Sequence, residues 1–339
     1  MSSDNSLYGP LDDPAGNAGH DDHPPRVGFF TDTSVCIGCK ACEVACKEWN
    51  LVPDDGFNLL GMSFDNTGML GADTWRHVAF IEQARPLGGQ DPGLAGLPTG
   101  PSGSQHSADT VASSIEQTER GGGELGTTPV NLGVPKFERP GDGTGAETRT
   151  QFRWLMSSDV CKHCTHAGCL DVCPTGALFR TEFGTVVVQQ DICNGCGYCV
   201  SGCPYGVIDR REDDGRAWKC TLCYDRLRDG LEPACAKACP TDSIQFGPLE
   251  ELRERAARRV EELHERGVPE ARLYGHDPND GVGGDGAFFL LLDEPEVYGL
   301  PPDPVVPTRD APAMWKYAGM AASALVAAAV SAFVGRERR

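Results

Sequence analysis

The stretch CNGCGYCVSGCP, Cys193–Pro204, spaces four thiols as C-x2-C-x2-C-x3-C and closes on a proline. This is the bacterial ferredoxin run. Three thiolates on one tight loop face a single iron–sulfur cubane, while the fourth, four residues on, points away toward a neighbouring one. Gly195 and Gly197 let the backbone approach the inorganic sulfides and donate N–H groups to them. Pro204 ends the run and helps fix the turn.

Working outward, the pattern recurs until no cysteine is left over. All sixteen cysteines of the 339 residues fall into four quartets. These are Cys36, Cys39, Cys42, Cys46; Cys161, Cys164, Cys169, Cys173; Cys193, Cys196, Cys199, Cys203; and Cys220, Cys223, Cys235, Cys239. The first keeps the ferredoxin spacing with Lys47 in place of proline. The second widens to C-x2-C-x4-C-x3-C-P and the fourth to C-x2-C-x11-C-x3-C-P. A disulfide framework has no reason to choose this spacing. Structural zinc uses two well-separated pairs, which crowded quartets ending in Cys-Pro fit badly. Four complete quartets therefore predict four [4Fe–4S] clusters.

The ferredoxin rule then predicts the pairing. The adjacent second and third quartets form one two-cluster module, with sets Cys161, Cys164, Cys169, Cys203 and Cys193, Cys196, Cys199, Cys173. The first and fourth form the other across the intervening chain, with sets Cys36, Cys39, Cys42, Cys239 and Cys220, Cys223, Cys235, Cys46. One module is thus inserted within the other, and the fold class is α+β.

Lys40, Lys162, Lys219 and Lys237 lie within or beside these loops. They are expected to touch the clusters and raise their potentials by stabilising added electrons. The alternative for each is a solvated surface lysine. His163 and His166 are also close, but complete quartets need no histidine ligand. No acid–base pair, activated nucleophile or open metal position is evident, so the expected function is electron relay without bond-making chemistry. A soluble electron shuttle and a structural zinc protein are the competing classes. The net charge of −19 disfavours a nucleic-acid partner and attraction to anionic lipid.

Residues 1–26 read as a disordered acidic arm without a secretory signal. The first part of the outer module spans 27–83, with a strand at His77–Gln83. A Gly/Pro-rich insertion at 84–150 is expected to wrap over a surface, with disordered portions. The inner module occupies 151–210, with a short strand at Gly184–Gln189, and the second part of the outer module 211–247. Residues 248–300 hold a docking helix with Leu249, Leu252, Ala256, Val260 and Leu263 on one face and a stop at Gly267, then a buried strand at Ala287–Asp293. A Pro-rich linker spans 301–313.

The last segment, 314–339, is an expected transmembrane anchor into the lipid bilayer. Tyr317–Val334 carries no charge over eighteen residues, roughly 27 Å of helix. Trp315 and Tyr317 suit one interface, and Arg336, Arg338 and Arg339 the other. Gly319, Ser323, Ala327, Ser331 and Gly335 form a small-residue stripe suited to packing on another membrane helix. The last 26 residues hold four basic groups and one acidic, so the whole-chain −19 leaves −22 for the rest. The positive-inside rule puts the Arg-rich end in the cytoplasm and the cysteine domain on the extracytoplasmic side of the cell membrane.

These residues resemble the iron–sulfur beta subunit of membrane-bound formate dehydrogenases. The likeness runs through CIGCKACEVACKEWN, CKHCTHAGCLDVCPTGAL, CNGCGYCVSGCPYGV and KCTLCYDRLRDGLEPACAKACPT, then the helix ending ERG, the GVGG turn and the C-terminal anchor. The four-cluster pattern is shared with electron-transfer subunits of hydrogenases and other molybdopterin oxidoreductases, which are the alternative reading. CKEWN and the helix-plus-anchor ending favour formate. The resemblance implies a heteromeric complex. A molybdenum- or tungsten-pterin catalytic alpha subunit oxidises formate, and a cytochrome b-type membrane gamma subunit passes electrons to quinone. It also implies export alongside a partner bearing a twin-arginine signal.

Overall fold

The run AFFLL, Ala287–Leu291, is apolar at every position because both of its faces are buried. In the computed structural model, which describes residues 11–56, 64–65, 67–83 and 153–336, this strand lies inside a four-stranded sheet. The main elements in chain order are β1 (Val27–Asp32), α1 (Ala41–Asn50), β2 (Arg76–Gln83), β3 (Arg153–Val160), α2 (Gly168–Asp171), β4 (Leu178–Arg180), β5 (Val186–Val188), α3 (Tyr198–Ser201), β6 (Asp209–Arg210), β7 (Ala217–Trp218), α4 (Tyr224–Arg228), α5 (Ala234–Lys237), β8 (Ile244–Pro248), α6 (Leu249–Glu265), β9 (Arg272–Tyr274), β10 (Ala287–Leu291) and α7 (Ala311–Arg336).

The sheet order is β8-β1-β10-β9, with β1 and β10 parallel and the outer strands antiparallel. Side chains alternate across it. Phe30, Phe288 and Leu290 face α6 and meet Leu249, Leu252, Ala256 and Leu263. Phe29, Phe289 and Leu291 belong to the other face, in one cluster with Cys42, Cys46, Cys161, Cys220 and Cys235. The sheet thus separates the docking helix from cysteine-bearing elements. Phe30 and Phe288 are register partners with stacked rings 5.3 Å apart. Burying each leucine of α6 contributes about 1.5–3 kcal/mol. The helix ends where Gly267 takes φ 83 and its N–H donates to the His264 carbonyl at 3.0 Å. Gly28 is required by close approach: a Cβ there would lie 2.0 Å from the Gly286 carbonyl oxygen.

β2 pairs antiparallel with β3 from Arg76↔Val160 to Gln83↔Arg153. The strand expected at His77–Gln83 is present within β2. Its partner RWLMSSDV had no apolar alternation to betray it; Ser157 and Ser158 are buried there. The insertion expected at 84–150 lies outside the described residues. Two short hairpins, β4–β5 and β6–β7, flank the third quartet.

One expectation needs correction. Residues 11–26 are not a disordered arm: Ala15 is buried, and His20 Nε2 lies 3.0 Å from the Arg180 carbonyl oxygen. Residues 1–10 of that arm lie outside the described residues. The Pro-rich stretch leading to α7 is fastened to the fold. Val306 is buried, its N–H donates to the Gly281 carbonyl at 3.1 Å, and the Thr308 hydroxyl donates to Asp171 Oδ2 at 2.6 Å. α7 follows directly, and the apolar window within Ala311–Ala332 is long and apolar enough to cross a membrane, with none of it buried in the protein.

Candidate metal centres

The four C-x2-C loops share one backbone feature. The residue before the second cysteine is left-handed in each: Gly38 (φ 64), His163 (φ 46), Gly195 (φ 73) and Leu222 (φ 56). This conformation turns successive amides toward one point, as in anion-binding nests. Accordingly, the Leu222 N–H donates to Cys220 Sγ at 3.3 Å. The third cysteine then sits on a helix: Cys42 on α1, Cys169 on α2, Cys199 on α3 and Cys235 on α5. The fourth follows four residues on, and after each Cys-Pro pair the chain turns through a second left-handed residue, Gly176, Gly206 or Asp242. At Cys173 burial pushes the thiol pKa up, but donors from Leu178, Thr175 and Ala177 more than offset this and lower it.

The structure brings thiols of different quartets together. Cys36, Cys39, Cys42 and Cys239 line one cavity. Cys161, Cys164, Cys169 and Cys203 line another. Cys46 faces Cys220, Cys235 and Cys223, and Cys199 faces Cys193, Cys196 and Cys173. Thiols of neighbouring sets also raise one another's pKa through charge: Cys235 acts on Cys42, Cys161 on Cys220, and Cys199 on Cys169. These links order the sets one after another, and the two exposed cysteines, Cys39 and Cys196, belong to the first and last of them.

All sixteen thiols are free. Among the described residues no three His, Cys, Asp or Glu side chains converge so as to hold a single metal ion. The eight thiols of the two sets named first border cavities, which suits a polynuclear group better than a zinc ion. Burial pushes Cys42 and Cys199 up to about 11 and holds Cys46 and Cys164 well above the ordinary thiol value. Such thiols stay protonated on their own and become thiolates by metal binding.

The four lysines separate clearly. Lys219 is buried, with Nζ 3.5 Å from Cys161 Sγ and 2.9 Å from the Cys220 carbonyl oxygen. Burial lowers its pKa, but Cys161, Cys169 and Cys220 outweigh that and raise it. Lys162 is equally buried, yet its ammonium pairs with Asp159 and lies 4.9 Å from the Phe289 ring centroid. Lys40 pairs with Glu43 at 3.3 Å. Lys237 is exposed and pairs with Glu232 at 3.3 Å.

Several residues escaped the sequence reading. Asn50 Nδ2 lies 3.8 Å from Cys46 Sγ and 3.7 Å from Cys223 Sγ, so the last residue of CKEWN spans two thiols of one set. Its neighbour Trp49 donates to Asp225 Oδ2 at 2.8 Å, tying CKEWN to the first turn of α4. Arg76, fully buried, donates through Nη2 to Cys235 Sγ at 3.2 Å. Ser158 Oγ lies 3.2 Å from Cys42 Sγ. Asn50 could have been found as a donor within a quoted motif. Arg76 and Ser158 stand far in sequence from the cysteines they meet and gave no local signal. Arg76 Nε is buried without a hydrogen-bond partner, so this cationic donor beside thiols fits a negatively charged cluster.

Comparisons with known proteins agree with this geometry. Two family models, each described as a 4Fe-4S dicluster domain, match residues 35–177 and 152–249. The nitrate-inducible formate dehydrogenase iron–sulfur subunit of Escherichia coli is 34% identical over 299 residues, covering 87% of this chain and 78% of that protein. The formate dehydrogenase-O iron–sulfur subunit of the same organism is 33% identical, over 93% and 85% of the two chains. The formate dehydrogenase iron–sulfur subunit of Haemophilus influenzae is 35% identical, over 84% and 72%. Two dicluster domains and sixteen cysteines in this spacing make four [4Fe–4S] clusters the cofactors of this electron-transferring protein of mixed helix and sheet. This protein belongs to the family of formate dehydrogenase iron–sulfur subunits.

Proposed function

We propose that this protein is the electron relay of a formate dehydrogenase complex, between a molybdenum- or tungsten-pterin catalytic subunit and a cytochrome b-type membrane subunit serving quinone. Cys36, Cys39, Cys42 and Cys239 hold one cluster, and Cys220, Cys223, Cys235 and Cys46 the next. Cys161, Cys164, Cys169 and Cys203 hold the third, and Cys193, Cys196, Cys199 and Cys173 the last. The inner dicluster module is inserted within the outer one. The clusters supply reversible one-electron chemistry, which no side chain here provides. The protein's part is to hold the thiolates, aim amides and cations at them, and exclude water.

The observation that carries this reading is the succession of electrostatically linked cysteine sets, with an exposed thiol in the first and in the last. A relay needs an entry and an exit accessible to different partners. The lead-in to α7 supports one assignment of ends, because Thr308 is fastened to Asp171, two residues before Cys173. On this reading the Cys193–Cys203 end faces the membrane partner and the Cys36–Cys42 end the catalytic subunit. α7 anchors the protein in the bilayer, its small-residue stripe against a partner helix, with the cysteine domain extracytoplasmic. Lys219 stabilises added negative charge at the Cys161 set.

Anaerobic purification in detergent tests this. About sixteen iron atoms per polypeptide are expected, together with a large subunit carrying molybdenum or tungsten and oxidising formate. A zinc-filled protein would overturn the cluster reading. A co-purified large subunit acting on another substrate would redirect the relay. The Escherichia coli anaerobic dimethyl sulfoxide reductase is the relevant comparison, since one of its subunits is 29% identical to this protein over 231 residues.

A further inference from the structure

Arg76 opens β2 and has no carboxylate ion-pair partner among the described residues. Its surroundings are unusual for a buried guanidinium. Nη2 donates to Cys235 Sγ at 3.2 Å. Nη1 reaches the Ser158 carbonyl at 3.1 Å and Ser158 Oγ at 3.3 Å. That same Oγ lies 3.2 Å from Cys42 Sγ. The guanidinium also stands over the Phe29 ring, 4.9 Å from its centroid, which closes the site on the sheet side. Cys42 and Cys235 belong to different cysteine sets, so one cation links both: directly on one side and through a serine hydroxyl on the other.

A buried, permanently charged guanidinium without a carboxylate is costly unless other negative charge compensates it. Resting on the ligand sets proposed above, we propose that Arg76 is a shared positioning cation for two clusters, setting the potentials of the Cys36/Cys39/Cys42/Cys239 and Cys220/Cys223/Cys235/Cys46 centres together. Its charge offsets negative charge added on either side, which raises both potentials and weakens the mutual repulsion of two reduced neighbours. Ser158 carries the coupling to one side only, so the two halves of the bridge are separable by mutation.

The test uses the detergent-purified complex, with iron content and potentiometric titration followed by electron paramagnetic resonance. In Arg76→Met, two of the four midpoint potentials are expected to move negative together while the other two stay. Arg76→Lys should recover part of the shift. Ser158→Ala should move one of those two centres more than the other, leaving iron content unchanged. A normal iron content with no shift in Arg76→Met, or a shift of a single centre, would overturn the proposal. If Arg76→Met fails to assemble, Ser158→Ala decides: unmoved potentials sink the shared bridge. Wild-type complex holding far fewer than four clusters would instead sink the ligand reading beneath it.

Discussion

The Lys219 ammonium lies 3.5 Å from the Cys161 sulfur and 2.9 Å from the carbonyl of Cys220, so one buried charge sits where the second and fourth quartets meet. Its neighbour in kind, Lys162, is just as buried but is neutralised by Asp159. Of these two, Lys219 has thiols as its charge partners. Lys219→Met is therefore expected to lower the potential of the cluster at the Cys161 set by on the order of 100 mV, taking a charge about 5 Å away at an effective dielectric near 20. Lys237→Gln, at the surface, should leave every potential unchanged. Redox titration of the two variants side by side decides; equal behaviour would remove the special standing of Lys219.

His163 predicts an acid limb in stability. Burial first, then Lys219, Arg26 and Arg180, hold its imidazole well below the ordinary 6.5, and Nδ1 sits 3.2 Å from the Val186 N–H, in position to accept it. The unfolded histidine takes up a proton as the pH falls through 6.5, the folded one only at lower pH. Stability attributable to this group is thus complete above pH 6.5 and falls by about 1.4 kcal/mol per pH unit below it. His163→Asn keeps an acceptor and tolerates the left-handed backbone there. It should flatten the loss of visible cluster absorbance during anaerobic acidification; an unchanged acid limb would assign that limb elsewhere.

Gly28 and Gly247 are register partners on adjacent strands, yet they should respond differently to alanine. At Gly28 the new methyl would meet the Gly286 carbonyl oxygen at 2.0 Å and Leu249 Cδ1 at 2.9 Å, whereas at Gly247 the nearest atom is 4.0 Å away. Gly28→Ala is expected to cost about 3 kcal/mol or more, seen as lost holoprotein and a lower melting temperature. Gly247→Ala should stay within about 1 kcal/mol of wild type.

Deleting 311–339 tests the anchor. None of the apolar window within Ala311–Ala332 is buried in the protein, and the contacts of Val306 and Thr308 precede it. The shortened protein is expected in the soluble fraction without detergent and with its iron intact. Continued membrane association would move the anchoring role to another surface.

The number and kind of clusters were legible in the sequence because a cubane imposes its spacing locally: C-x2-C loops and Cys-Pro turns are written within a short span of residues. The same holds for α6, whose apolar period is short, and for Ala287–Leu291, whose unbroken hydrophobicity reports burial on both faces. Tertiary structure alone decided that β1 runs parallel to β10, that residues 11–26 settle on the fold, and that Val306 and Thr308 fasten the approach to α7. It also decided which cations meet sulfur. Arg76 and Cys235 are 159 positions apart, and Lys219 and Cys161 58. Long side chains choose their partners by what the folded backbone brings within reach, and no local pattern encodes that choice.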